Sequence, residues 1–317
     1  MSNNYDALTH DAVLTAVEGV LGEPLANLVI PRNSYINRVY ELTVKASRQP
    51  LIVKFYRPSR WSAEQILEEH ALLERMQAQE LLVIPPMRFN DKTLFDVDTI
   101  PFALFPKMGG RALDEFTQDG WIQLGRLIGR FHSLSQTQAS STRIKWTPSV
   151  ATQHHLDILL ADKHLPDDYR QPLERVVNQF LKAAQPLFER EPLFLIHGDC
   201  HKGNLIHRPH EGIYLIDFDD CCVGPAVQDL WMLLPGTAQD CPLEVDWFLE
   251  GYEVFRDFNR RSLRLIPHLT IMRLLHFASW CALQTADVGF RDHFSDWGTT
   301  RYWNELIREI TKILNVE

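Results

Sequence analysis

Residues His197-Gly198-Asp199-Cys200-His201-Lys202-Gly203-Asn204 constrain this chain more than any other stretch, because Asp217 follows thirteen positions after Asn204 (217 − 204) within Ile216-Asp217-Phe218-Asp219. Short apolar runs at 193–196 and 213–216 flank the pattern and read as strands. One strand then runs into a loop and the other ends at a carboxylate. Such geometry can bring three oxygen-bearing side chains to one edge of a small hairpin. That suits phosphoryl transfer, which needs few protein groups but needs them closely placed. One carboxylate must orient the attacking hydroxyl, and Asp199 can do so. A second carboxylate and an amide oxygen must hold magnesium on the phosphates, and Asp217 with Asn204 are the candidates. Magnesium takes hard oxygen donors and shares them with substrate phosphates, so one Asp and one Asn suffice. Any of these residues alone reads as an ordinary turn former; the joint pattern does not. His197 reads as a support of the loop through hydrogen bonds.

The rest of the composition narrows the setting. A chain of 317 residues can build one large or two modest domains with real cores. Its 45% hydrophobic and 23% charged content is ordinary for a soluble globular protein. A net charge of −9 argues against nucleic acid as a main partner, since backbone binding needs a basic surface. A nucleotide in a local basic pocket remains compatible. The first residues show no signal-peptide pattern, and no apolar run approaches the ~20 residues of a membrane span. Five cysteines, an odd number without Cys-x-x-Cys, suit a reducing cytoplasm, so the expectation is a cytoplasmic protein without a membrane partner. Cys200, His201 and His207 lack the paired spacing of a zinc site. A nucleophile built on Cys200 would lack an oxyanion-hole motif. The oligomeric expectation is a monomer.

Periodicity organises the chain into two parts. Residues 11–21 are helical; 39–44 and 51–56 are β-branched and aromatic strands joined as a hairpin through 45–50. Ser62 offers an N-cap to a helix over 63–78. Residues 81–89 and 101–105 are apolar, Pro-punctuated and extended, with a turn near Asn90-Asp91. Beyond them helices dominate: Leu124, Leu127, Ile128, Phe131 and Leu134 form one stripe, and similar patterns cover 171–187, 244–258, 262–283 and 302–314. No repeat or low-complexity segment occurs. The expected fold class is α+β with two lobes: a small β-rich lobe over 1–105 and a larger, mostly helical lobe over 106–317. The joint falls where strand character ends, at Phe105-Pro106-Lys107-Met108-Gly109-Gly110.

Three further features bear on a nucleotide. Lys54 sits in an otherwise apolar strand, where an inward ammonium needs an anionic partner such as phosphate; the alternative is an edge lysine facing solvent. A lysine in that role needs a helical carboxylate, and Glu69 shares its face with Ile66, Leu73 and Met76, whereas Glu68 shares a more polar face. Glu69 is therefore preferred and Glu68 stays open. Between the first helix and the first strand lies Asn33-Ser34-Tyr35-Ile36-Asn37-Arg38, without Gly-x-Gly-x-x-Gly or a Walker motif. Its amides, the Ser34 hydroxyl and Arg38 can contact phosphates, and the segment reads equally well as an ordinary turn.

His-Gly-Asp-x-x-x-x-Asn with a following Ile-Asp-Phe-Asp resembles the aminoglycoside phosphotransferase and choline kinase branch of the protein-kinase-like fold. Asn33 to Tyr40, Val53 to Pro58, Gln65 to His70 and Gly224 to Met232 together resemble the bacterial stress response kinase A family. The resemblance implies a cytoplasmic, magnesium- and ATP-dependent kinase that phosphorylates serine and threonine on proteins and autophosphorylates. It implies Asp199 as proton acceptor, Asn204 and Asp217 as magnesium ligands, Ser34 as an ATP-site residue, and a hinge against adenine at Phe105 to Met108. Only eleven residues (218 to 228) separate Asp217 from the Asp229-Leu230-Trp231 block, shorter than the activation segment of eukaryotic-type protein kinases and closer to the small-molecule kinases. A small hydroxyl metabolite (an aminoglycoside, choline or homoserine) is the rival acceptor, and a nucleotide-binding pseudokinase the rival class.

Overall fold

Alternation of side chains along the early strands dictates a sheet with two different faces. In the computed structural model, which describes residues 5, 7–113, 115–136, 142–287 and 289–315, helix α1 (His10–Leu21) precedes β1 (Ile30–Pro31), β2 (Arg38–Thr43) and β3 (Pro50–Phe55). Helix α2 (Ala63–Ala78) follows, then β4 (Phe95–Val97) and β5 (Ile100–Pro106). The five strands form one antiparallel sheet in the order β1-β2-β3-β5-β4. Period two turns Leu51, Val53 and Phe55 to one face and Ile52 and Lys54 to the other. The first face packs with Val13 and Val17 of α1 and with Leu42, Phe102 and Leu104 into a dry core. The second face looks onto a cleft lined by Val39, Ile52, Lys54 and Phe105.

α2 begins where the sequence marks it, with a capping box in which Ser62 and Gln65 satisfy each other's backbone N–H groups. Residues 81–88 join no ladder and bend at Leu82, where Val83 N–H bonds the Leu81 carbonyl at 3.0 Å. Pro85 and Pro86 lack an N–H, and isolated bonds tie the run down: Met87 N–H to the Leu104 carbonyl at 2.6 Å and Leu215 N–H to that of Leu82 at 3.0 Å.

The larger part is helical: α3 (Gln118–Ser135), α4 (Gln153–Ala161), α5 (Asp167–Phe188), α6 (Gln228–Trp231), α7 (Pro242–Tyr252), α8 (Ile266–Gln284), α9 (Phe290–His293) and α10 (Thr300–Leu314). Its core gathers Leu124, Ile128 and Phe131 with Phe180, Phe248, Leu269 and Trp303, all fully buried. Between α5 and α6 run β6 (Phe194–Ile196), β7 (Leu205–Arg208), β8 (Gly212–Leu215) and β9 (Cys222–Gly224). The two strands anticipated beside the Asp199 loop do not pair with each other. β6 pairs with β9, and β8 pairs with β7, register Leu205 to Leu215. The three-residue connection 209–211 closes a local hairpin at less entropic cost than the longer 197–211 excursion would. Among the described residues no helix is long and apolar enough to cross a membrane.

Candidate active site

The loop after β6 is held from below. Gly198 has φ +81°, and a Cβ there would lie 2.5 Å from the Asp220 carbonyl and 2.9 Å from Cys222 Sγ, so glycine alone makes this turn. Asp229, fully buried at the start of α6, accepts the N–H groups of His197 and Gly198 at 2.7 and 2.8 Å and lies 3.0 Å from His132 Nε2. The ring of His197 bonds through Nε2 to the Ile216 carbonyl at 2.9 Å, joining the loop to the end of β8. Asn204 donates its amide N–H to the Asp199 carbonyl at 2.9 Å, and Ile216 N–H reaches the Asn204 carbonyl at 3.0 Å. Asp199, Asn204 and Asp217 thus gather at one end of the β7–β8 hairpin. Asp217 itself has φ +63°, a costly conformation for a residue with a Cβ, in which its half-exposed carboxylate enters the cleft.

The cleft is a cavity of about 940 Å³ between sheet and helical part. Ser34, Lys54, Glu69, Phe105, Met108, Asp199 and Asp217 line it. Asn204 does not line it; it is buried between the wall residues Gly203 and Leu205. Its amide nitrogen is committed to the Asp199 carbonyl, which leaves the amide oxygen as the end for a cation. Asp217 and Asn204 therefore offer hard oxygens suited to magnesium. Among the described residues no group of three or more His, Cys, Asp or Glu forms a metal site on its own. A cation here would have to complete its shell with phosphate oxygens, as magnesium commonly does. Two glycines follow the joint, and Gly110 has no room for a Cβ, which would lie 2.0 Å from Ile206 Cγ2. There the Arg111 and His207 backbones exchange bonds at 2.9 Å, packing the joint onto β7.

Charge placement departs from expectation at Lys54. Its ammonium is 3.1 Å from Asp217 Oδ1 and bonds Asp219 Oδ1, and no ion pair joins it to Glu69. Glu69 is buried and faces Arg143 instead, at 3.7 Å. The reason is reach and competition: two carboxylates from the Asp217 turn satisfy Lys54 directly, while Glu69 feels Lys54 and Arg143 only from a distance. Burial, reinforced by Asp219, still pushes the Glu69 carboxyl up to about 8. Glu68 points elsewhere and accepts from the Thr142 hydroxyl. Asp219 is held ionised: burial opposes the charge, but Lys54, Arg60 and the Asn37 amide at 2.6 Å hold its carboxyl below the usual range. At Asp199 burial also opposes ionisation, and is outweighed by His201 at 3.4 Å and Arg273 at 2.7 Å, which bring it well below the carboxylate range.

Arg38 is absent from the cleft. It alternates with Val39, which lines the cavity, so it faces outward over the Tyr5 ring at 4.8 Å. The polar crosslink of that loop is Asn37, bonded to Asp219 and, through its oxygen, to Arg57 N–H at 3.1 Å. Asp219, Arg143, Asp229 and Arg273 escaped sequence reasoning. Asp229 stood inside a motif already distinguished; Arg273 carried no signal beyond sharing a helical face with His276, Phe277 and Trp280.

The model of the phosphotransferase enzyme family matches residues 28–266. The chain belongs to this family. It is similar to stress response kinase A of Escherichia coli (strain K12), 35% identical over 281 residues, covering 86% of this chain and 83% of that protein. It is also similar to the serine/threonine protein kinase RdoA of Salmonella typhimurium (strain LT2), 32% identical over 293 residues, with 90% and 87% covered. A solved phosphotransferase relative in fold, amicoumacin kinase hAmiN in complex with AMP-PNP, Ca2+ and Ami, aligns with a TM-score of 0.75 at 18% identity over 98% of this chain and 96% of that one. That likeness establishes the two-lobed, protein-kinase-like fold for this member of the family.

Proposed function

We propose that this phosphotransferase transfers the γ-phosphoryl group of ATP, with magnesium, to a serine or threonine hydroxyl of a protein, its own chain included. The observation that carries the reading is the convergence of Asp199, Asn204 and Asp217 at one end of the β7–β8 hairpin, with Lys54 bonded to Asp217. ATP lies between a lobe of residues 1–105 and one of 106–317, its base against Phe105 and Met108 and its phosphates near Ser34 and Lys54. Asn204 and Asp217 would hold magnesium, which would neutralise charge on the phosphates. Asp199 accepts the hydrogen bond of the acceptor hydroxyl and takes its proton as oxygen bonds phosphorus and the bond to ADP breaks. Its low-lying carboxyl is ionised at neutral pH, as that role needs. The protein acceptor is supported by the name of the Salmonella relative.

The short 218–228 connection favours a second reading, a small hydroxyl metabolite, as does the hAmiN neighbour. The test compares Asp199→Ala and Asp217→Ala with wild type, by equilibrium nucleotide binding and radiolabel transfer. Asp199→Ala should bind ATP within a few fold of wild type and lose at least ~10³ in turnover. Asp217→Ala should lose metal-dependent ATP affinity as well. Undiminished transfer by Asp199→Ala would refute these roles, and transfer to one metabolite without any protein labelling would select the second reading.

A further inference from the structure

One face of α8 forms the cavity wall beside Asp199. Arg273, His276, Phe277 and Trp280 follow at spacings of three, four and seven residues, and all four line the cavity. Tyr35, from the loop before β2, meets this face with its ring 5.4 Å from that of Trp280, and Phe277 stacks on Trp280 at 6.0 Å. Phe277 is 40% exposed, an apolar surface at the mouth of the slot. Asp199 therefore stands beside an aromatic slot whose α8 charge is Arg273.

Every carboxylate of the cavity already has a cation. Asp217 and Asp219 share Lys54, Asp220 pairs with Arg60 at 2.6 Å, Glu69 faces Arg143 and Asp199 pairs with Arg273. A cationic acceptor entering here would meet the guanidinium groups of Arg32, Arg60, Arg111 and Arg273 and no uncommitted carboxylate. Arg273 is the reverse case. Asp199 Oδ1 lies 2.7 Å from its Nη2, a guanidinium has five N–H donors in a planar fork, and no second ion-pair partner exists for it among the described residues. Its side chain is 32% exposed on the cavity side. A second anion can bind the unused edge while the first keeps Asp199 aligned.

We propose that the acceptor carries an anionic group beside its hydroxyl and that Arg273 binds that group. In a protein this is a serine or threonine close to an aspartate, glutamate or phosphorylated residue; the same chemistry occurs in a small hydroxy acid. The inference rests on the kinase reading and names its acceptor class. Arg273 acts twice, on Asp199 and on the acceptor, so its loss lowers turnover with every acceptor, and the deciding quantity is a ratio.

Full-length protein with magnesium and ATP is assayed on three peptide pools, each with one Ser or Thr flanked by acidic, neutral or basic residues, and on a panel of small hydroxy acids beside neutral alcohols. Wild type should prefer acidic over basic peptides by tenfold or more in kcat/KM, and poly-glutamate but not poly-lysine should compete with the acceptor. In Arg273→Gln the acidic-to-neutral ratio should fall about tenfold, the size of one lost charge-assisted hydrogen bond, with the selective part in KM. Hydroxy acids phosphorylated in place of peptides would keep the anionic acceptor and remove the protein one. Wild-type preference for basic or neutral acceptors would overturn the inference while leaving the kinase reading intact. So would an equal loss on all pools in Arg273→Gln, which confines Arg273 to positioning Asp199. Should that variant not fold, the wild-type preference and the polyanion competition decide. No transfer to any acceptor would bring down the kinase reading itself.

Discussion

At Lys54 two carboxylates share one ammonium and a third is left to Arg143, an arrangement that turns Glu69 into a proton reservoir. Its folded carboxyl titrates near 8, against 4.5 in the ordinary case, because burial disfavours the charge. Between those two values the folded protein keeps a proton that the unfolded chain has released. Stability from this residue is therefore fully present below about pH 4.5 and is lost as pH rises, by up to about 1.4 kcal/mol per pH unit. Glu69→Gln imitates the protonated form and removes the dependence. Urea unfolding at pH 5 and pH 8 should show the variant gaining a few kcal/mol over wild type at the higher pH. An unchanged difference across that range would mean that Arg143 and Lys54 hold Glu69 ionised in the fold. The neighbouring Asp219 explains why Lys54 does not need Glu69: it is closer, buried and oriented by Asn37.

Among the elements, the loop 197–204 owes its shape to a helix of four residues. Asp229 of α6 receives the His197 and Gly198 N–H groups and contacts His132 of α3, all away from water. Asp229→Ala strands those donors in a dry site, and removing one partner of such a buried network costs about 3–5 kcal/mol. The midpoint of chemical denaturation should drop accordingly; a loss below ~1 kcal/mol would show that water replaces the carboxylate. The same elements show what a sequence can reveal. β3 and α2 were visible because side-chain alternation and an N-cap serine are local signals. Asp199, Asn204 and Asp217 stood out because their spacing is short and fixed. β7 (Leu-Ile-His-Arg) and β9 (Cys-Val-Gly) are as short as β6 and β8, but polar residues or a glycine break the apolar run that made those two visible. Arg143 and Arg273 could not be placed, since their partners Glu69 and Asp199 lie 74 positions away in each case (143 − 69 and 273 − 199), and nothing local announces such contacts.

Across the whole molecule the sheet and the helical part are joined by more than the chain passing from β5 to α3. The loop before β2 reaches α8 through Tyr35 and Trp280, Arg60 reaches Asp220, and Arg57 clasps Asp287 with both terminal nitrogens at 2.9 and 2.6 Å. That last pair is largely dry, with side chains 8% and 13% exposed, and Arg57 N–H also bonds Asn37, which in turn holds Asp219. The clasp thus connects lobe closure to the group that fixes Lys54. A planar, two-point pair in this environment should show real coupling, unlike an exposed ion pair worth little. In a double-mutant cycle with Arg57→Gln and Asp287→Asn, unfolding free energies should give an interaction of roughly 1–3 kcal/mol. The single variants should also raise the KM for ATP several-fold, because the lobes are held apart from their closed geometry for part of the time. Additive effects within about 0.5 kcal/mol, with KM unmoved, would mean that the clasp forms without holding the lobes together, and that Tyr35 and Arg60 carry the closure instead.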